Sequence, residues 1–129
     1  MRKLLPILLS ALMFTGCAAT NNSQTNTYRQ IAMDEAVDMM AQESGYIILD
    51  VRRADEFAAG HIPGAINVAN ESIGTDEIPE LPDKKQLIMV YCRSGRRSKE
   101  AAEKLVKLGY TNIVEFGGIL DWKGEIVTV

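Results

Sequence analysis

A cysteine followed closely by three arginines is the part of this sequence with the clearest chemical potential. Cys92 lies between a short apolar run at residues 87–91 and a helical pattern at residues 98–108. The residues that follow it are Arg93, Ser94, Gly95, Arg96, Arg97 and Ser98. The reactive form of cysteine is the thiolate, and backbone N–H groups in a loop at a helix N-terminus favour negative charge. The sequence therefore predicts a sulfur nucleophile inside an anion-binding loop.

The other loop residues fit the same chemistry. Guanidinium groups near the sulfur favour the thiolate and also hold an anionic substrate or intermediate, while Gly95 permits a tight turn. Ser98 is predicted to be the N-cap of the helix. The alternative is a structural cysteine, because free cysteine is often buried, with the arginines on a solvated face. Three guanidinium groups beside a core position argue against that alternative, although Arg97, nearest the helix, is expected to be partly structural.

Loop length separates two kinds of chemistry. Cysteine phosphatases place five residues between the cysteine and an arginine that binds phosphate through two hydrogen bonds. Counted from Cys92, that arginine would be residue 98, which is Ser98, and Tyr91 stands where a histidine commonly precedes their cysteine. The loop is one residue short for phosphate and fits a smaller group, a single transferable sulfur.

Strands that alternate with helices are predicted around this loop. The helices are expected after Asp34, where apolar residues recur at helical spacing until Gly45, at residues 54–59, and at residues 98–108, where Gly109 caps the helix. Strands are expected at residues 46–49, 65–68, 87–91 and 112–116. This alternation predicts an α/β fold with a parallel sheet, whose ligand sites lie at the carboxyl ends of strands. Cys92 and Asp50 both follow such ends.

Four stretches, in order along the chain, resemble the rhodanese-like, or thiosulfate sulfurtransferase, domains. Residues 92–98 are similar to the active-site loop of that family. The other three stretches are ILDVR at residues 48–52 with Glu56 and Phe57, GHIPGAIN at residues 60–67, and LGY at residues 108–110 followed by GGILDW at residues 117–122. The resemblance extends from about Tyr28 to Trp122.

The resemblance implies one rhodanese-like α/β domain at residues 28–129, with a central parallel sheet flanked by helices. It also implies a ping-pong reaction in which Cys92 takes sulfane sulfur from thiosulfate or a similar small anionic donor. The resulting persulfide, stabilised by the backbone from Arg93 to Ser98, passes its sulfur to cyanide, a thiol or a protein acceptor. Two alternatives remain open: a sulfur carrier or relay module without turnover, and an arsenate- or phosphate-handling enzyme.

Asp50, Arg52 and His61 are candidates for supporting roles. An aspartate at a strand end can act as a general base, but charged pairs are common scaffolding, so Asp50 and Arg52 are expected to hold neighbouring loops. His61 is the only histidine and is expected to fix a turn. Two distant cysteines and one histidine lack the spacing of metal ligands, so neither a metal nor a cofactor is expected. The acidic stretch at residues 70–83 is a candidate for lining the mouth of the site.

The first residues have the layout of an export signal. A short basic segment precedes an apolar run at residues 4–14, and Gly16 and Cys17 follow it. This resembles the signal of bacterial lipoproteins, with a signal peptide at residues 1–16, a lipid on Cys17 and a flexible tether at residues 17–27. The expected location is the periplasmic side of the cell envelope, with Ala18 favouring the outer membrane. An ordinary cleaved signal with a free Cys17 is the alternative. The net charge of −3 argues against nucleic acid as a partner.

Overall fold

Five parallel strands form the centre of the structure, a computed structural model that describes residues 27–129. In chain order, the elements are β1 (Arg29–Gln30), α1 (Met33–Gln42), β2 (Ile47–Asp50), α2 (Ala54–Ala59), β3 (Ile66–Asn67), β4 (Ile88–Cys92), α3 (Arg96–Lys107) and β5 (Ile113–Gly118). The strands lie in the order β1-β5-β4-β2-β3, and every pairing is parallel. The predicted α/β fold with a central parallel sheet is confirmed.

The middle strand, β4, is buried on both faces and divides the core into two layers. Side chains alternate across a strand, and Ile88, Val90 and Cys92 therefore pack in the layer on the α3 side. Met89 and Tyr91 belong to the layer on the α1 and α2 side. The alternation places the Cys92 sulfur on the same face of the sheet as α3.

Helix α3 is fixed to this layer by one apolar stripe and by a left-handed glycine at its end. Ala101, Ala102 and Leu105 are fully buried against the sheet. After the helix, Gly109 has a φ of +101°, and its N–H donates to the carbonyl of Val106. A residue at this position adopts the left-handed conformation most easily as glycine. The predicted C-terminal cap of this helix is confirmed.

Two predicted helix boundaries are wrong. Helix α3 begins at Arg96 with Gly95 as its N-cap, so Ser98 lies inside the first turn. Gly95 has a φ of +117°, which lets the loop turn into the helix earlier than a residue with a side chain would allow. Helix α1 ends at Gln42 and its C-cap Glu43 is extended, so Gly45 follows the helix without capping it.

Residues near the end of the chain pair with the segment that follows α2. His61 and Val127 form an antiparallel bridge, with N–O distances of 2.8 and 2.9 Å. Across residues 27–129, no helix combines the length and the apolar character that crossing a bilayer requires. Cys17 and the predicted signal peptide lie outside the described residues.

Candidate active site

The Cys92 sulfur lies at the carboxyl end of β4, enclosed by the loop that leads into α3. The residue is 1% exposed. The Gly95 N–H donates to Sγ at a distance of 3.0 Å, and Ser98 Oγ lies 3.4 Å from Sγ on the other side. Because strand, loop and helix meet at this point, the sulfur is surrounded by hydrogen-bonding groups rather than by apolar side chains alone.

The surroundings of the sulfur favour its ionised form. Burial raises the pKa of the Cys92 thiol, since it disfavours charge. The hydrogen bond with the Ser98 hydroxyl opposes burial, and so do those from the backbone N–H groups of Ser98, Gly95 and Ser94. The net result is a pKa below the ordinary value for a thiol. This arrangement favours a reactive thiolate and therefore agrees with the chemistry predicted from the loop.

Strand β5 supports the loop by an unusually close backbone approach. The register between β4 and β5 shifts so that Cys92 lies opposite Gly118. A Cβ atom on Gly118 would lie 2.0 Å from the carbonyl oxygen of Arg93. That same carbonyl accepts a hydrogen bond from the Leu120 N–H at 3.2 Å. The loop is thus held from behind by a strand end at which only glycine fits.

An open, positively charged cavity of about 480 Å³ gives access to the sulfur. Four arginines and two glutamates are among its lining residues, which are Arg53, Glu56, Glu71, Cys92, Arg93, Ser94, Arg96 and Arg97. Its volume lies in the range of small-molecule sites. Glu71 comes from the acidic stretch that was a candidate for the mouth. The excess of guanidinium groups favours a small anion as the ligand.

Three of the four arginines have carboxylate partners. Arg97 forms two hydrogen bonds with Glu56, at 2.8 and 3.1 Å, and so joins α3 to α2. The other two pairs are Arg96 with Glu100 and Arg53 with Asp55. Arg93 is exposed and has no ion pair within residues 27–129. Arg97 thus both lines the cavity and connects two helices, and its partly structural role stays a prediction.

Asp50 and Arg52 form a buried ion pair that does not line the cavity. Arg52 Nη2 lies 2.7 Å from Asp50 Oδ2 and 2.6 Å from the carbonyl oxygen of Gly60. The Tyr91 hydroxyl donates to the same carboxylate at 2.6 Å. These contacts connect β2, β4 and the end of α2 on the face opposite the cysteine. The pair thus links these three elements, and its scaffolding role stays a prediction.

His61 also lies outside the cavity. Its ring stacks on Phe57, with 3.7 Å between ring centroids, and Nδ1 lies 2.8 Å from the Phe57 carbonyl oxygen. Together with the backbone bridge to Val127, these contacts fix the turn after α2. The structure brings together the residues of the loop but not Asp50, Arg52 and His61.

Two glutamates near the cysteine were not identified as site residues from the sequence. Glu56 matters because it binds Arg97 across the cavity wall. Glu115 is 2% exposed, and its Oε2 atom lies 2.5 Å from Ser98 Oγ. The only signal for Glu115 is a charged residue within an otherwise apolar predicted strand, at a position that faces the α3 side of the sheet.

Known proteins match both this fold and this sequence. A family model described as "Rhodanese-like domain" matches residues 32–125. The chain is 36% identical over 73 residues to thiosulfate sulfurtransferase PspE of Escherichia coli (strain K12), covering 57% of this chain and 70% of that protein. It is 31% identical over 99 residues to thiosulfate sulfurtransferase GlpE of Coxiella burnetii, covering 76% and 90%. The uncharacterized protein YibN of E. coli is 31% identical over 124 residues, covering 95% and 86%.

A solved structure gives the same result for the fold. The structure titled "rhodanese with anions from E. coli" superimposes with a TM-score of 0.59 and 32% sequence identity, covering 65% of this chain and 99% of that one. Within the wider family, the chain is similar to thiosulfate sulfurtransferases at modest identity. The chain therefore belongs to the family of rhodanese-like domains.

Proposed function

We propose that this protein is a sulfurtransferase that carries sulfane sulfur on Cys92. The observation that supports this most directly is the Cys92 sulfur itself, which accepts the Gly95 N–H at 3.0 Å beside a cavity rich in arginine. Such a site stabilises a thiolate and attracts an anionic donor. The similarity to thiosulfate sulfurtransferases supports thiosulfate, or a chemically similar anion, as the donor.

The proposed reaction has two steps that use the same sulfur. In the first, the Cys92 thiolate attacks the outer sulfur of thiosulfate, the sulfur–sulfur bond of the donor breaks, and its electron pair leaves with sulfite. In the second, an acceptor such as cyanide attacks the outer sulfur of the persulfide. The sulfur–sulfur bond of the persulfide breaks, and its electron pair returns to Cys92 as thiocyanate leaves. Charge is conserved in each step, and no cofactor takes part.

The loop residues have separate parts in these steps. Backbone N–H groups from Arg93 to Ser98 form the surface that stabilises negative charge on the inner and outer sulfur. The exposed Arg93 guanidinium is free to bind the sulfonate oxygens of the donor. Arg97 is held by Glu56, so it contributes a fixed positive charge in the cavity wall.

Replacement of Cys92 tests the proposal. In a Cys92→Ala variant we expect no thiocyanate release above the uncatalysed rate, while the fold is retained, because one small buried side chain contributes little to this core. The measurement is thiocyanate release from thiosulfate and cyanide, together with the intact mass after incubation with thiosulfate alone. The wild type should gain the mass of one sulfur atom. A variant that keeps most of its activity would remove Cys92 from the mechanism.

The same two measurements distinguish the alternatives. A protein that loads sulfur but releases no thiocyanate acts as a carrier or relay rather than as an enzyme with turnover. An arsenate- or phosphate-handling enzyme would hydrolyse an aryl phosphate in a Cys92-dependent way. The short loop disfavours that last activity, because Ser98 stands where a phosphate-binding arginine would be needed.

We also propose that the protein works on the periplasmic side of the cell envelope, anchored by a lipid on Cys17. The support is the signal-like layout of the first sixteen residues, which end in Gly16 and are followed by Cys17. Labelled fatty acid should be incorporated into the wild type and not into a Cys17→Ser variant. Equal labelling of both proteins, or no labelling of either, would contradict the anchor.

A further inference from the structure

A buried glutamate is connected to the Cys92 sulfur through a single hydroxyl group. Glu115 lies on β5, opposite Val90 of β4, and its side chain points to the α3 face. Its Oε2 atom lies 2.5 Å from Ser98 Oγ, and Ser98 Oγ lies 3.4 Å from Cys92 Sγ. All three side chains are buried, with exposed fractions of 2%, 0% and 1%. The three groups thus form a continuous chain inside the protein.

Glu115 lacks the partner that a structural buried carboxylate usually has. Its hydrogen-bond donors besides Ser98 are the Gly117 N–H, at 2.9 Å from Oε2, and the Gln30 side-chain amide, at 3.5 Å from Oε1. No lysine, arginine or histidine within the described part of the chain lies close enough to form an ion pair with it. Burial of a carboxylate without a cation is costly. Its retention beside the reactive sulfur therefore needs an explanation.

The single hydrogen of the Ser98 hydroxyl makes the two acidic groups dependent on each other. A hydroxyl donates one hydrogen bond at a time, and Ser98 Oγ has both Glu115 Oε2 and Cys92 Sγ within reach. If Glu115 is ionised, it takes this hydrogen, and Ser98 can then only accept one from a Cys92 thiol. If Glu115 is protonated, its carboxyl group donates a hydrogen bond to Ser98 Oγ. The Ser98 hydroxyl can then donate its own hydrogen to a Cys92 thiolate.

We infer that Glu115 is a positioning residue that exchanges a proton with Cys92 through Ser98, so that one negative charge is shared between carboxylate and sulfur. In this step the S–H bond of Cys92 breaks and its proton binds Ser98 Oγ. The original Ser98 proton moves to Glu115 Oε2, so no proton enters or leaves the site. The inference rests on the proposed function only for its role in catalysis, which is to supply the thiolate that attacks the sulfur donor.

Other charged groups face this chain from each neighbouring element. On α3, Arg97 is affected by the charge of Cys92, and the Lys99 ammonium lies near Gly95. Before β1, the Tyr28 phenol has a pKa raised by burial and then by the charges of Glu103 and Glu115. None of these groups makes a hydrogen bond to Ser98, although the Ser98 hydroxyl is also within donating distance of the carbonyl oxygens of Gly95, at 2.9 Å, and Gly117, at 3.3 Å. A backbone carbonyl accepts a hydrogen bond but does not take up the proton, so the exchange is confined to the three connected side chains.

The test is the pH dependence of Cys92 alkylation by iodoacetamide in the full chain, read by mass spectrometry of the Cys92 peptide so that Cys17 does not contribute. Two coupled groups titrate in two steps that belong to the pair. In the wild type we expect the alkylation rate to rise with pH, reach a plateau while the pair holds one proton, and rise again when the second proton leaves. In Glu115→Gln, which keeps the size of the side chain and one oxygen that can accept from Ser98 but cannot take the proton, the plateau should be lost and one step should remain.

Ser98→Ala is the matched variant, because it removes the connecting hydroxyl and leaves both acidic groups in place. It should also show a single step, and the double variant should show the same single step as Ser98→Ala alone. A single step in the wild type would overturn the inference. A plateau that persists in Glu115→Gln or in Ser98→Ala would overturn it as well.

A second measurement uses only the wild type and so does not depend on the folding of any variant. At the pH of the plateau, alkylation converts the thiolate to an uncharged thioether, after which Glu115 should ionise. The infrared difference spectrum should lose a carboxylic-acid C=O band and gain a carboxylate band; an unchanged carboxyl region would contradict the proton exchange. Neither measurement involves a sulfur donor or acceptor, so their outcome is independent of whether sulfur transfer itself is observed.

Discussion

Among the residues around the cavity, Arg93 is the one whose charge is available to a ligand. Its backbone carbonyl is fixed by the Leu120 N–H, while its side chain is exposed and forms no ion pair in the described part of the chain. Arg53 lines the same cavity and is also exposed, but it is paired with Asp55. Both arginines are therefore exposed residues of the cavity, and they differ in that a carboxylate binds Arg53 but not Arg93.

This difference predicts different effects of two alanine substitutions on sulfur transfer. In Arg93→Ala we expect the KM for thiosulfate to rise about fivefold, the loss of one partly solvated charge contact, with little change in kcat. Arg53→Ala should leave the KM within about twofold, because its charge is already neutralised by a carboxylate. Steady-state kinetics with varied thiosulfate concentrations measures both values. Equal effects of the two substitutions would show that Arg93 has no specific role in donor binding.

At the scale of elements, the site depends on how closely β5 and α2 approach the cysteine loop. Strand β5 reaches the loop at Gly118, where the backbone atoms of Arg93 and Ser94 leave no space for a side chain. Helix α2 reaches it through Glu56, which binds Arg97 of α3. One contact fixes the back of the loop and the other fixes its open side.

The Gly118 contact predicts a large effect of a single methyl group. In Gly118→Ala the new Cβ would lie 2.0 Å from a carbonyl oxygen and 2.5 Å from a backbone nitrogen, so the loop must move. We expect the free energy of unfolding to fall by about 3 kcal/mol, together with most of the sulfur-transfer activity. Urea unfolding and the thiocyanate assay measure these effects.

Gly74→Ala is the control for this substitution, since a Cβ at that position meets nothing within 4 Å. Its free energy of unfolding should change by less than about 0.5 kcal/mol. If Gly118→Ala were as stable and as active as Gly74→Ala, the close approach of β5 would not be needed to hold the loop.

The ion pair between Glu56 and Arg97 predicts a pH dependence of stability. The hydrogen bond from the Arg97 guanidinium lowers the pKa of Glu56 from 4.5 to about 2. Because the folded state favours the carboxylate, this stabilisation is complete above the unfolded-state pKa and is lost as the pH falls through the range between these values. We expect the loss to be on the order of 2 kcal/mol, because solvent still partly screens this pair, whose side chains are 21% and 17% exposed.

Urea unfolding of the wild type and of Glu56→Gln over that acidic range measures the contribution. The variant should be less stable at neutral pH and should lose less stability on acidification. Asp55→Asn, which alters the exposed carboxylate paired with Arg53, should change the dependence on pH much less than Glu56→Gln, because solvent screens that pair. Parallel curves for the wild type and Glu56→Gln would contradict the assignment to Glu56.

For the whole molecule, the local charge around the cavity is opposite in sign to the net charge. The sequence has a net charge of −3, yet four arginines and two glutamates surround the opening to Cys92. A local positive field attracts small anions even when the protein as a whole is negative, and salt screens it over about 10 Å at 0.1 M.

The expected consequence is that Cys92 reacts relatively faster with a negatively charged reagent at low ionic strength. The rate of alkylation by iodoacetate, divided by the rate for uncharged iodoacetamide, should exceed the same ratio for an unstructured cysteine peptide and should fall as salt is added. Mass spectrometry of the Cys92 peptide measures both rates. A ratio that equals that of the peptide at every salt concentration would mean that the arginines do not attract anions to the sulfur.

The parts of the fold that follow from local pattern could be predicted, and those that depend on long-range contacts could not. The apolar run before Cys92 and the stripe of Ala101, Ala102 and Leu105 are local signals, and they predicted the strand, the helix and the fold class. The first turn of α3 was placed two residues late, because Ser98 is a common capping residue whereas the actual cap depends on the left-handed Gly95. The contact between Ser98 and Glu115 joins residues from different elements, so no spacing along the chain reveals it.

The two edge strands of the sheet affect how copies of this protein associate. Within residues 27–129, the outermost strands are β1 and β3, each two residues long, and both residues of β1 are exposed. A long, flat outer strand is a template on which a neighbouring chain can add its own strand and begin to aggregate. Such short outer strands offer few unpaired backbone groups to a second chain. Molecules packed side by side at high density should therefore resist joining their sheets into larger assemblies.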